Sequence, residues 1–258
     1  MNDNPFASPD DVSHTTQPQS GTGATLIKVL LGLGIIVLLI ALLLPFRRNV
    51  GEVVGRTRCL TNFRKISMAL HNYEELHGSL PPAYTVDENG RRMHSWRTLI
   101  LPFLDQRPLH INLEIPWDAP ENAPALEASL DVFRCPSSDI PQNHTTYMGL
   151  VGADACFRAN ESRSLSDIKD TSATLMVIEV SPDDAVHWMS PHDTDAQFVL
   201  NFGPETELSH AGGTQAAFVD GHVRFLSTNM SGEERRAMSY LSGNRSVSDR
   251  TDDTTAQE

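Results

Sequence analysis

The sequence predicts an α+β protein in which one long N-terminal helix, transmembrane at first and then amphipathic, packs on an antiparallel β-sheet. Three observations predict it. An uncharged apolar run fills residues 29–46, apolar residues recur at steps of three and four as far as Leu76, and two alternating segments flank Asp220-Gly221.

The apolar run reads VLLGLGIIVLLIALLLPF, and Leu26 and Ile27 extend it across Lys28, whose long side chain can reach the interface. Residues 26–46 would span about 31 Å at ~1.5 Å per residue, against a hydrocarbon core of roughly 30 Å. A cleaved leader fits less well. Residues 1–23 hold no Lys or Arg, the apolar core is long, and Pro45-Phe46-Arg47-Arg48 stands where a small-residue cleavage site belongs. Residues 1–23 are also too polar to offset their ordering entropy, which predicts a disordered tail before a transmembrane segment at 24–46. Taken alone, Arg47, Arg48, Arg56 and Arg58 place the C-terminal side of that segment in the cytoplasm.

The amphipathic continuation covers 47–78. Its stripe is Val50, Val53, Val54, Leu60, Phe63, Ile66, Leu70, Tyr73 and Leu76, with Arg56, Arg58, Arg64, Lys65, Glu74 and Glu75 on the solvated face. Gly78 is a natural C-terminal cap, Pro81-Pro82 bar continuation, and Pro45 should bend the helix.

Residues 79–242 form the α/β domain, and the polar stretch 243–258 reads as a second disordered tail. Short helices are expected at 94–104 and 123–130, and strands at 132–134, 146–151, 174–180, 197–201, 214–219 and 222–227. A two-residue turn at Asp220-Gly221 pairs Phe218 with Val223 and Ala216 with Phe225, all four on one face.

The chain of 258 residues carries a formal charge of −13. Removing Lys28, Asp3, Asp10 and Asp11 leaves 19 basic and 30 acidic residues after position 46, a surplus that repels phosphate backbones and argues against nucleic acid as a partner. Cys59, Cys135 and Cys156 form no C-x-x-C pair, which excludes zinc-ribbon and thioredoxin-like spacing. No phosphate-binding glycine loop, nucleophile elbow or Cys/His dyad signature occurs, so no catalytic residue and no cofactor are expected.

His210 and Asp220 invite a metal reading, but a strand from Thr214 to Asp220 would separate them by roughly 20 Å. Turn chemistry accounts for both: Asp220-Gly221 makes the hairpin turn, and His210-Ala-Gly-Gly makes the loop entering the strand. His187, Trp188, Asp193 and His210, with His192 nearby, are candidates for lining one pocket, although their spacing matches no metal motif. Glu179, inside the apolar run TLMVIEV, reads as a buried, hydrogen-bonded carboxylate.

The sequence resembles a family of pilin-like proteins, abundant in planctomycetes, that join a prepilin-type helix to a domain of unknown function with a C-terminal His-x9-Asp-Gly signature. Here the signature is His210-AGGTQAAFV-Asp220-Gly221. Further matches are Arg58-Cys59, Ala69-Leu-His71-Asn72-Tyr73, His94-Ser-Trp96-Arg97, Phe133-Arg-Cys135-Pro136-Ser137, Thr171-Ser172 before Glu179, and Trp188-x-x-Pro191-x-Asp193. The resemblance implies a pilin-like fold, an extracytoplasmic domain on the inner membrane, and relatives among type IV pilins and type II secretion pseudopilins. It implies no enzymatic activity. It makes Gly23-Ala24 a processing site and Cys59–Cys135 a disulfide; Cys135–Cys156 is the local alternative, and three separate buried thiols are the remaining reading of the cysteines. Ala24 and Lys28 stand where prepilins carry Phe and Glu, and a lysine there would repel a neighbouring subunit's amino terminus. The expected role is structural or assembly-related, with membrane lipid and other pilin-like subunits or envelope components as partners. A membrane-tethered, ligand-binding ectodomain outside any filament is the alternative.

Overall fold

A computed structural model describes residues 22–106 and 108–241. Of the tails expected at 1–23 and 243–258, residues 1–21 and the whole of the second lie outside the described residues, while Thr22 and Gly23 belong to a helix. The chain divides into two compact units between Val50 and Gly51, and helix α1 (Thr22–His77) belongs to both. Gly23 and Ala24 fall within its first turn.

In the N-terminal unit the described side chains run from 26 to 42 and are exposed almost throughout. Among the described residues no helix is long and apolar enough to cross a membrane.

The second unit is α+β, built around an antiparallel sheet of four strands ordered β4 (Tyr147–Gly149), β5 (Leu175–Glu179), β7 (Gly213–Phe218) and β8 (Val223–Ser227). Two short ladders flank it, β1 (Tyr84–Val86) with β2 (Arg92–Ser95), and β3 (His144–Thr145) with β6 (Val186–His187). The remaining helices are α2 (Trp96–Leu99), α3 (Ala123–Leu126), α4 (Ala196–Asn201) and α5 (Gly232–Ser239). Strand side chains alternate between two cores. Tyr147, Val177, Ala217 and Val219 meet Phe63, Ile66 and Leu70 of α1. Met148, Ile178, Ala216 and Phe218 meet Val199, Phe202 and Met238 around α4 and α5. Because both faces are covered, β5 and β7 are buried at every position.

The stripe that docks α1 differs from the expected one. Val53, Val54 and Leu76 are exposed, at 63%, 43% and 69%. Phe63, Ile66 and Leu70 are buried as expected, and Gly55 and Cys59 are buried in place of the valines. Small residues win at the upper turns because the helix comes close to the segment after Cys135: a Cβ on Gly55 would collide with the Ser137 side chain. The helix ends as expected, with Gly78 at φ +76° donating its N–H to Glu74 O at 2.7 Å.

Two expected strands take other forms. Residues 131–133 make a 3-10 turn, and 196–201 make helix α4, capped by Asp195, whose carboxylate accepts the Gln197 N–H at 2.8 Å. Phe198, Val199 and Phe202 recur at helical intervals, a pattern that the strand reading missed. The helix expected at 94–104 is shorter, Trp96–Leu99 followed by a 3-10 turn at Leu101–Phe103, and that at 123–130 stops at Leu126.

The hairpin exists, but its register is shifted by one. Ala217 pairs with Val223 and Ala216 with Arg224, so Val219, Asp220 and Gly221 form a three-residue loop. Gly221, at φ +91°, donates to Phe218 O at 2.9 Å, and Phe218 N donates to His222 O at 2.9 Å. The shift separates residues expected to share a face: Ala216 and Phe218 point toward α4 and α5, whereas Val223 joins the α1 side.

One buried ion pair ties the loops beside the sheet together. Arg97 Nη1 lies 2.7 Å from Asp193 Oδ1, both side chains almost fully enclosed. The other guanidinium hydrogens go to the carbonyls of Tyr147, Trp188, Ser190 and His192 at 2.7–3.1 Å. Asp193 Oδ1 also accepts from Trp96 Nε1 at 2.9 Å and Gly149 N at 2.7 Å. Asp193→Asn should therefore cost about 3–5 kcal/mol, because it strands a buried guanidinium. Arg91→Ala, which breaks an exposed 3.5 Å pair with Asp118, should cost no more than about 1 kcal/mol. Urea denaturation of the two variants against the parent checks the contrast.

Candidate metal centre

The largest gathering of reactive groups lies where α1 meets the sheet. Cys59, Cys135, Glu179 and His210 each present one donor atom, all four atoms lie within 4.8 Å of one another, and all four residues are buried. Each comes from a different element. Cys59 is on the docking stripe of α1, four residues beyond Gly55. Cys135 follows the 3-10 turn Asp131–Phe133. Glu179 ends β5 opposite Tyr147. His210 starts the tight turn into β7, in which Gly212 at φ +77° lets Gly213 N donate back to His210 O at 3.4 Å.

The contacts are short. Cys59 Sγ lies 3.3 Å from Glu179 Oε2, and His210 Nε2 lies 3.4 Å from Cys135 Sγ and 3.5 Å from Glu179 Oε2. A ring of outer partners fixes these four. Tyr147 donates its hydroxyl to Cys59 Sγ at 3.3 Å, and Thr146 donates to Glu179 Oε1 at 3.5 Å. Glu52 Oε1 sits 3.2 Å from His210 Nδ1, which leaves Nε2 to face the sulfurs. Thr214 Oγ1 donates to the Glu179 carbonyl at 2.6 Å, holding β5 to β7 behind the cluster.

Burial and mutual charge set the protonation. For Cys135 the hydrogen bond with Cys59 outweighs burial and, with His210, brings the thiol down to about 3. Burial drives Cys59 far above the ordinary thiol range, and the neighbouring Cys135 and Glu179 charges add to it. Burial and the Cys135 sulfur push Glu179 up to about 8. Burial works against a charged His210, but Cys135, Glu179 and Glu52 together raise it to about 9. At neutral pH the protein alone thus holds a Cys135 thiolate against a His210 imidazolium, with Cys59 and Glu179 protonated. Such a pair resembles an activated nucleophile, but both sulfurs are fully enclosed and have no access to a substrate.

The sequence-derived sites fare unevenly. Cys59, Cys135 and Cys156 are all free thiols, so neither disulfide pairing is formed. Cys156 stands apart, its thiol pushed up to about 12 by burial. His187, Trp188 and Asp193 each bond to partners other than His210. His187 Nε2 is bonded to Leu126 O at 2.8 Å, Trp188 Nε1 donates to Ala128 O at 3.0 Å, and Asp193 is held by Arg97. His192 Nδ1 bonds the Ser190 hydroxyl at 2.7 Å. Asp220 is at the hairpin turn, 2.6 Å from His222 Nδ1. Sequence reasoning paired Cys59 with Cys135 only as a disulfide, treated Glu179 and His210 singly, and missed the four-residue cluster, because no two of its members are close in sequence. The available signal was that each stands within or beside a stretch carrying the family resemblance.

One family model matches, over residues 55–150. Its description is "Protein of unknown function (DUF1559)". The matched segment includes Cys59 and Cys135 and ends before Glu179 and His210. No curated protein and no solved structure matches the chain. The chain is therefore similar, over the end of α1 and the first part of the domain, to an uncharacterised domain family.

Glu179 gives the cluster a measurable pH signature. Burial holds its pKa in the folded chain at about 8, above the ordinary 4.5 of a glutamate, so the folded state holds a proton that the unfolded state releases. Its contribution is fully present below pH 4.5 and is lost as pH rises through about 8. In chelator, the parent should lose stability relative to Glu179→Gln across that window. Urea midpoints of both proteins at stepped pH values measure it, and a constant difference would refute the burial argument.

Proposed function

We propose that this chain is a single-pass, membrane-anchored, pilin-like envelope protein with a structural or assembly role, its domain on the extracytoplasmic side. One observation carries the proposal. Ile35, Ile36, Val37, Leu38 and Leu39 cover the whole circumference of α1, and each is more than half exposed, at 52–60%. A helix that is apolar all round calls for an apolar surrounding rather than water. The described side chains stop at Leu42, and in the sequence the uncharged run continues to Phe46.

A structural role is supported by the chemistry of the cluster, whose four donors are enclosed with no position left open for a substrate. The extracytoplasmic side rests on the resemblance and runs against the arginines after the apolar run. The pilin-like reading rests on the same resemblance together with a helix that continues from the apolar run into the core of an α+β domain.

The test is fractionation of cells producing the full chain. Expected are retention in membranes through an alkaline carbonate wash, release on deletion of 24–46, and digestion of the domain by protease added to spheroplasts. Sequencing of the purified amino terminus should begin at Ala24. An intact Met1 would remove the pilin-type route, and a protease-resistant domain would reverse the orientation.

A further inference from the structure

We propose that Cys59, Cys135, Glu179 and His210 form a closed site for one zinc(II) ion that fastens helix α1 to the sheet. The proposal does not depend on the membrane reading.

The geometry is that of a tetrahedral shell. Zinc bonds of about 2.3 Å to sulfur and about 2.0–2.2 Å to nitrogen and oxygen imply donor–donor edges of roughly 3.4–3.8 Å. Three edges here measure 3.3, 3.4 and 3.5 Å, and the widest separation does not exceed 4.8 Å. Small shifts of four side chains would close the set around an ion. Two sulfurs, one imidazole nitrogen and one carboxylate oxygen are donors suited to zinc, whereas calcium and magnesium prefer oxygen alone.

The surroundings match a metal site as well as the donors do. Glu52 on His210 Nδ1 is the carboxylate–histidine arrangement that directs Nε2 toward a metal. Tyr147 and Thr146 direct hydroxyl hydrogens at Cys59 and Glu179, which offsets negative charge on those ligands. Burial adds a second argument. Three groups able to become anions are enclosed together, and among the described residues Glu179 has no Lys or Arg partner, only His210. Such a cluster is costly unless a cation neutralises it. A dication at its centre removes that cost, and four protein ligands leave no open position, the mark of a structural rather than a catalytic site.

The ion would also determine where the helix docks. It would connect the middle of α1 to the end of β5, the turn before β7 and the segment after Asp131–Phe133. Binding only to the folded chain, it would stabilise that chain by mass action.

The test uses the full chain purified in detergent under reductant, stripped with chelator, and titrated with cobalt(II) and then zinc(II). One cobalt per chain should bind, with thiolate-to-cobalt charge-transfer absorption and the intense visible bands of tetrahedral cobalt, and zinc should displace it. Cys59→Ser and Cys135→Ser should each diminish the charge-transfer band, while Cys156→Ser retains it in full. Glu52→Gln, a change at a partly exposed outer partner that leaves the fold intact, should weaken zinc binding by about 10–100-fold and keep the band. Zinc should raise the melting temperature of the parent, and of Glu52→Gln only at higher concentration. A folded, stripped parent that takes up no stoichiometric cobalt overturns the proposal. So does a full band in both cysteine variants, or a Cys59–Cys135 disulfide without metal in chain purified without reductant.

Discussion

The domain depends on the fit of a narrow stripe of α1 against one face of a four-stranded sheet. At Gly55 and Cys59 small side chains admit the loop segment carrying Cys135 and Ser137. Farther along, Phe63, Ile66 and Leu70 pack into the core against the sheet, with the Phe63 and Tyr147 rings 4.6 Å apart. Apolar contact alone does not distinguish one position along such a stripe from another a turn away, because it is non-directional. Directional groups are needed to choose. They are concentrated near the Cys59 end of the stripe, where Cys59 meets Glu179 and Tyr147, and Glu52 meets His210.

Two polar centres divide the labour of specifying the fold. Arg97 and Asp193 organise chain without regular structure, collecting four carbonyls, one indole and one backbone amide around a single ion pair. That centre is satisfied by the protein alone, apart from Asp193 Oδ2, which is buried with no partner. The sulfur cluster is different, because its groups compete for protons and cannot all be charged together. One centre is a finished network and the other is a ligand set. This difference, not the number of titratable groups in each, makes the second the functional candidate.

How much was legible in the sequence depended on whether the signal was local. The cap at Gly78 and the strands β5, β7 and β8 follow from periodicity and turn residues within a few positions. The strand expected at 197–201 failed because a short apolar run fits either period, and the Asp195 cap was not weighed. The hairpin register failed on one residue: Asp-Gly suits both a two-residue and a three-residue loop, and only pairing across the sheet decides. The helix stripe was legible at Phe63, Ile66 and Leu70 but not before them, because Val53 and Val54 are apolar and yet are not the residues that fit the close approach at Gly55. The cluster was illegible for a topological reason. Cys59 and Glu179 are 120 residues apart, and only the order β4-β5-β7-β8 under α1 brings them together.

The same topology gives the His-x9-Asp-Gly segment a physical role without requiring its ends to share a ligand. At one end His210 bonds Glu52 of α1. At the other, Gly221 lies against Ser67 and His71 of the same helix, where an added Cβ would sit 3.7 and 3.6 Å from their side chains. Fifteen helical residues from Glu52 to Ser67 rise about 23 Å at ~1.5 Å each, and the strand with its turns covers a comparable distance at ~3.3 Å per extended residue. The segment therefore acts as a spacer matched to the helix. One residue more or fewer would carry Ala217 and Val219 to the opposite face of the sheet and draw either His210 or Gly221 off α1. Spacing in this chain constrains the helix–sheet contact, and the sulfur cluster sits at the end of that contact where the constraint is tightest.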